Sequence, residues 1–118
     1  MQTQVLTLVM ESRGIAPQVR SLANSCYWSK LYRAGQYFLD LSCKSNDASH
    51  VIRGHLFAES GYEVVKGKIN LNQLNDAPIQ ANLSNFGEFK LDVLESGCYE
   101  LEVSLEGQSL KIPQFVID

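Results

Sequence analysis

The chain has 118 residues, 45% of them apolar and 19% charged, with a net charge of −3. That is enough apolar material for one domain with its own core, too much for a disordered chain, and too little positive charge for a nucleic-acid footprint. No apolar run approaches the roughly 18 residues that cross a bilayer as a helix, so neither nucleic acid nor membrane is expected as a partner.

Val5 to Met10 is a short apolar run and reads as a strand. It contains Thr7, has no basic residue before it and runs into Glu11 and Arg13, so it does not read as a secretory signal. Residues 11–25, with Gly14, Pro17 and Asn24, have no clear pattern. The best helical candidate, Ala16 to Tyr27, is limited by Pro17 and weak amphipathicity to one or two turns. "CYWSKLYR" (26–33) reads as a strand whose inward face cannot be assigned. In "QYFLDLSCK" (36–44), Tyr37, Leu39, Leu41 and Cys43 alternate with Phe38, Asp40, Ser42 and Lys44. "HVIRGHLFA" (50–58) places Ile52, Gly54 and Leu56 on one side, Arg53 and His55 on the other.

Further along, "KGKINLN" (66–72) offers Gly67, Ile69 and Leu71 inward, and "PIQANLS" (78–84) offers Ile79, Ala81 and Leu83. Residues 88–93 alternate Phe89, Leu91 and Val93 with Glu88, Lys90 and Asp92. Residues 98–106 set Tyr99, Leu101, Val103 and Leu105 against Glu100, Glu102, Ser104 and Glu106. The tail 109–117 continues with Leu110 and Ile112, and Pro113, lacking a backbone donor, predicts an edge or a bulge there. Turn formers such as Asn85-Phe86-Gly87, Ser96-Gly97 and Glu106-Gly107 stand where these strands must reverse.

Strands punctuated about every eight to twelve residues predict an all-β, antiparallel Greek-key sandwich of about seven to nine strands, one domain over 1–118. The expected core is Leu39, Leu41, Ile52, Leu56, Ile69, Leu71, Phe89, Leu91, Tyr99, Leu101 and Val103. The charge is uneven: residues 1–58 carry six basic and three acidic groups, residues 59–118 four and ten. Most of the acidic excess falls between apolar strand residues, where it keeps an outward face solvated.

No catalytic, cofactor or metal constellation stands out. His50 and His55 are separated by an odd number of strand positions, so they point to opposite faces and cannot share a metal. Cys26, Cys43 and Cys98 form no CxxC pair; they read as free thiols, which fits a reducing compartment, and cytoplasm is expected. Cys43 should face inward and Cys98 outward beside Glu100, whose charge keeps a thiol protonated. The glycines form no phosphate loop, and Glu100, Glu102 and Glu106 splay along one strand face instead of converging on calcium.

Five of the eleven aromatic residues, Tyr27, Trp28, Tyr32, Tyr37 and Phe38, fall within twelve positions. Phe38 lies opposite the inward set of its strand, so at least one large ring should stand outside the main core. Three occupants fit such rings: the chain's own residues 1–25, a protein partner, or a sugar. With Lys30 and Arg33 close by in sequence, Tyr27, Trp28, Tyr32 and Phe38 are the candidate partner-binding residues, aromatics and arginine being the types enriched at interface hot spots. Arg13 and Arg20 add basic character nearby.

The run "VIRGHL…GYEVVKGKINLN…APIQANLSNFGEFKLDVLESGCYELEVSLEG" resembles the carboxypeptidase regulatory-like domains, small transthyretin-like (prealbumin-like) sandwiches. Ile52-Gly54-Leu56, Val65-Gly67-Ile69-Leu71, Gly87-Phe89-Leu91 and Gly97-Tyr99-Leu101-Val103 fall in register with the family's pattern, over roughly residues 50–107. Ser84 stands where the family's turn often has aspartate, Gly67-Lys68 replaces a glycine-alanine pair, and Ser96 replaces a proline. A calcium-assisted turn is therefore not expected. Tyr99 is expected to bond its hydroxyl back across the sandwich, like the tyrosine of a Greek-key corner. The resemblance implies a transthyretin-like fold and a non-enzymatic accessory or adaptor domain, of a kind carried by some bacterial proteins, that binds a protein partner; the aromatics of 27–38 would also suit a two-fold homodimer, and no cofactor is expected. The alternative is a carbohydrate- or small-ligand-binding module that uses the aromatics of 27–38.

Overall fold

The computed structural model describes residues 2–14, 26–45, 49–60, 66–74 and 76–117, leaving out the side chains of residues 13, 14 and 26. Ten strands occur among these residues, and no helix: β1 (Gln2–Val5), β2 (Thr7–Gly14), β3 (Cys26–Ala34), β4 (Tyr37–Ser45), β5 (His50–Ala58), β6 (Gly67–Asn72), β7 (Ile79–Asn82), β8 (Glu88–Val93), β9 (Gly97–Leu105) and β10 (Gln108–Ile117). They form two five-stranded sheets that pack face to face, one in the order β1-β10-β9-β6-β7 and the other β2-β3-β4-β5-β8. We refer to these as the first and second sheets. Every neighbouring pair is antiparallel except β1 with β10.

The chain changes sheet between β1 and β2, β5 and β6, β7 and β8, and β8 and β9. β8 thereby returns beside β5, and β9 beside β6, as Greek-key crossings require. The strand count exceeds the expected range because the N-terminal apolar run is two strands. Val5 ends β1 and Thr7 begins β2; between them Leu6 is buried, and its amide donates to the Lys111 carbonyl at 2.7 Å. A residue anchored in the core at the crossing leaves no room for one continuous strand.

Alternation delivers the core. All eleven expected core residues are buried, and Val93, Leu110, Ile112, Phe115 and Ile117 complete the layer between the sheets. Around Pro113 the register of β10 on β9 slips between Ile112 and Phe115. Both Pro113 and Gln114 are exposed, and the inward set resumes with Phe115 and Ile117. The proline thus sits in a bulge, beyond the last residue of β10 that pairs with β1. Gly54 faces Phe89 across the β5–β8 pair, and a Cβ at that position would overlap the Phe89 ring. The ring takes the space that a side chain on β5 would need.

In β3 the residues at even positions point inward. Trp28, Tyr32 and Ala34 are buried, and the Trp28 indole stands edge-on to Phe115 of the opposite sheet, with centroids 5.8 Å apart and planes at 76°. Lys30 lies on the same side but keeps its ammonium at the margin, 4.5 Å from the Trp28 ring centroid. The helical candidate 16–27 falls mostly outside the described residues; its last residue, Tyr27, belongs to β3.

Tyr99 donates its hydroxyl to the Glu95 carbonyl at 2.7 Å, four residues upstream. The bond closes the connection that crosses from β8 of the second sheet to β9 of the first, returning to the backbone just upstream as the tyrosine of a Greek-key corner does. The Ser84 hydroxyl organises the preceding turn, accepting the amides of Phe86 (3.2 Å) and Glu88 (3.1 Å). Gly87 there has φ 76°, with a neighbouring carbonyl, that of Leu56, where a Cβ would go.

Removing the indole should cost about 3–5 kcal/mol in Trp28→Ala, and overpacking against Phe89 about 1–3 kcal/mol in Gly54→Ala. Denaturant titration measures both, and an unchanged midpoint for Trp28→Ala would contradict its place in the core. Burial, then the charges of Glu95 and Asp76, raises the Tyr99 hydroxyl above its ordinary value; burial, then Glu11, does the same for Tyr32. A group raised in the folded state contributes its full stability below its unfolded value, about 10, and loses it as the pH climbs through the folded value. Stability should therefore be flat from neutral to about pH 10 and fall above it. In Tyr99→Phe the fall should be shallower and the neutral-pH stability lower by about 1 kcal/mol.

Candidate functional site

The outward face of the second sheet carries the most chemically varied surface among the described residues. In register across β3, β4 and β5, Arg33 pairs with Phe38, and Phe38 with Phe57. The two phenyl rings lie nearly parallel, 15° apart in plane, with centroids 5.4 Å apart. The His55 ring sits 5.2 Å from Phe57. At the other end the Arg33 guanidinium carbon stands 5.1 Å from the Phe38 centroid. The stack therefore runs Arg33–Phe38–Phe57–His55, with both phenyl rings half-buried and both end groups exposed.

Arg33 is held in place from behind. Its Nε donates to the Gly35 carbonyl at 3.1 Å and its Nη2 contacts Glu59 at 3.3 Å, between side chains that are 49% and 62% exposed. A pair that open to water fixes orientation and contributes little energy. Beside the stack an open hollow of about 330 Å³ is lined by Tyr27, Ser29, Asp40, Arg53, His55 and Glu88. Its walls are polar, and His55 lies in register between Asp40 of β4 and Glu88 of β8. A second hollow of about 250 Å³, which shares Ser29 and Asp40, runs towards Met10 of β2. Over β3, β4 and β5 the outward charges are Arg33, Lys44 and Arg53 against Asp40.

The candidate residues divide by strand parity. Tyr27, Arg33 and Phe38 face outward, Tyr27 into the hollow. Trp28 and Tyr32 are core residues, so they cannot serve as partner contacts; each stands an even number of positions from the inward Ala34. Lys30 is on their side, over Trp28. The burial of Trp28 also removes the largest ring from a carbohydrate-binding surface. Side chains of residues 13 and 20 lie outside the described set. Phe57 was not among the candidates, although its signal was present: once β4 and β5 are aligned through their hairpin, Phe57 falls opposite Phe38.

The histidines separate as their spacing requires, His50 inward and buried, His55 outward. His50 Nδ1 lies 2.6 Å from Ser45 Oγ, and Nε2 lies 3.1 Å from Ser96 Oγ. Cys43 Sγ is 3.5 Å from the same Ser45 hydroxyl. This chain, buried at Ser45 and His50 and reaching the surface at Ser96, ties the β4–β5 end to the β8–β9 turn. Cys43 is 1% exposed, which closes it to any substrate, and Cys98 is exposed on β9. Among the described residues no group of three or more His, Cys, Asp or Glu side chains converges to hold a metal, and no helix is long and apolar enough to cross a membrane. On the first sheet, Lys111 lies 3.9 Å from Glu100 and 3.8 Å from Glu102, which gives those carboxylates a common counter-charge.

A double-mutant cycle on Phe38→Ala and Phe57→Ala should return a coupling of about 0.5–1.5 kcal/mol, the value of a stacked aromatic pair. Additive effects would mean that the rings do not hold each other in solution.

Comparison with models of known families, with curated proteins and with solved structures finds no match to this chain.

Proposed function

We propose that the protein is a non-enzymatic binding module that docks an acidic segment of a partner protein on the outward face of the second sheet. One observation carries the reading: the Arg33–Phe38–Phe57–His55 stack is half-exposed on a sheet face where the neighbouring strands present mostly polar groups. Rigid rings lose little conformational freedom on binding, and a guanidinium already oriented over a ring can accept a carboxylate in exchange for its loose contact with Glu59. Across the whole outward face Arg33, Lys44, Arg53 and Lys90 stand against Asp40, Glu88 and Asp92, so the preference for an acidic visitor rests on the Arg33 guanidinium at the end of the stack and not on a net positive face.

The likeness to carboxypeptidase regulatory-like, transthyretin-like domains supports an accessory role. Its glycine positions answer packing needs here: Gly54 lies under Phe89, and Gly67 is crowded by Leu83 and Leu105. These features speak for the fold and leave the role to the surface. The three cysteines at wide spacings, with no CxxC pair, suit the cytoplasm as the compartment.

The test compares wild type with Phe57→Ala and Arg33→Glu, each checked by thermal melting, as bait for host proteins identified by mass spectrometry. A partner held by wild type should be weakened about 30-fold by a variant that loses a hot-spot contact worth about 2 kcal/mol, and released by added salt. Equal retention by folded variants, or retention on immobilised glucan in place of protein, would overturn the reading.

A further inference from the structure

One hydrogen-bonded chain joins the interior to solvent. Ser45 ends β4 and His50 begins β5, directly opposite in register, and both side chains are buried. Ser96 arrives from the connection between β8 and β9 and is exposed. The imidazole stands between them, with Nδ1 2.6 Å from Ser45 Oγ and Nε2 3.1 Å from Ser96 Oγ. A buried ring must have partners for its nitrogens, so two serines alone would be ordinary. What sets this pair apart is its asymmetry: one hydroxyl is locked inside, and the other is open to any molecule that reaches the turn.

That asymmetry is the layout of an activated nucleophile: a reactive oxygen, a base within hydrogen-bond reach, and a third group that orients the base. We infer that Ser96 is an acyl acceptor, a serine that takes the acyl group of an activated ester, with His50 as base and Ser45 as the positioning residue. The neutral ring then carries its hydrogen on Nδ1 and donates it to Ser45, whose own hydrogen can turn to Cys43 Sγ, 3.5 Å away. Nε2 is left with a lone pair facing the Ser96 hydroxyl. In the transfer, Ser96 Oγ bonds to the carbonyl carbon and passes its proton to Nε2. The bond from that carbon to the leaving oxygen breaks, and the leaving oxygen takes the proton from the ring. The products are an alcohol or phenol and an ester on Ser96. A side-chain donor for the developing oxyanion stands beside the next residue: Gln73 Nε2 lies 3.0 Å from where a Cβ on Gly97 would be, and Gly97, at φ 152°, carries none. The transfer modifies the chain once and needs no turnover, so it adds to the docking role without resting on it. Phe57 lies near the other end of β5 and on its opposite face.

Incubation with p-nitrophenyl acetate over a pH series, followed by peptide mass mapping, tests the inference. Ser84 is an internal reference, an exposed turn serine bonded to amides and to no histidine. A general base contributes about 10²–10⁴-fold, so Ser96 should be acetylated at least about a hundredfold faster than Ser84. Its rate should rise with pH and level off once the ring is neutral, whereas a serine that is merely hydrogen-bonded would keep gaining with hydroxide. His50→Gln, shown to be folded by thermal melting, should bring Ser96 down to the Ser84 rate. Ser45→Ala removes the oxygen that fixes the ring and should slow Ser96 by about tenfold or more and displace the plateau. Three results would overturn the inference: acetylation of Ser96 no faster than that of Ser84, a wild-type rate without a plateau, or a folded His50→Gln or Ser45→Ala that reacts like wild type. The first two are read on the wild-type chain, so they decide the matter even where a variant fails to fold.

Discussion

The contact on which the arrangement turns is the edge-to-face meeting of Trp28 with Phe115. One ring belongs to β3 near the β2 edge of the second sheet, the other to β10 of the first, just past the bulge at Pro113. Without an anchor there, β2 and β3 would be a two-stranded flap hung on β4, and such ribbons are marginal in water. With it, Tyr32 and Ala34 follow Trp28 into the core, and the odd positions of β3, Tyr27 and Arg33 among them, must face solvent. The surface chemistry of the second sheet is therefore a by-product of where one indole is buried.

How much of this was legible depended on how cleanly each strand separated its two faces. In β4, β8 and β9 apolar and polar residues alternate without exception over most of the length, and their inward sets follow from parity alone. The proline in the tail likewise announced its bulge, because a missing donor has few places to go. β3 resisted because both faces carry large side chains, Tyr27 and Leu31 against Trp28 and Tyr32, and the inward face contains a lysine. A charged stem that runs along an indole and surfaces at the edge looks, in a sequence, like a polar residue on the wrong side. The split at Leu6 was hidden for another reason: Leu6 sits in an unbroken apolar run, and the crossing is defined only by the distant Lys111 carbonyl.

The candidate surface shows the same limit. Phe38 could be placed outside from its own strand, whereas the stack that gives it meaning is an object of register, made from residues nineteen positions apart. Arg33 joins it because β3 runs alongside β4, and His55 because β5 alternates in step with Phe57. The Ser45–His50–Ser96 chain was out of reach in a similar way, since Ser96 arrives from another turn altogether. Residue types on one strand predict a face; the partners that tune each group come from neighbours that only pairing brings together.

The parallel pairing of β1 with β10 bears on how the chain reaches this state. Gln2–Val5 lies alongside Gln108–Lys111, so the first strand finds its place only after β10 has been made. The hydroxyls of Thr3 and Ser109 meet at 3.3 Å across a sequence separation of 106 residues. Contacts this distant must overcome loop-closure entropy before they return any stability, which makes them late events and slows folding as a whole. During synthesis on the ribosome, β1 waits with its hydrogen-bonding edge unpaired until β10 has emerged, and the β2–β3 pair waits with it for the Phe115 anchor.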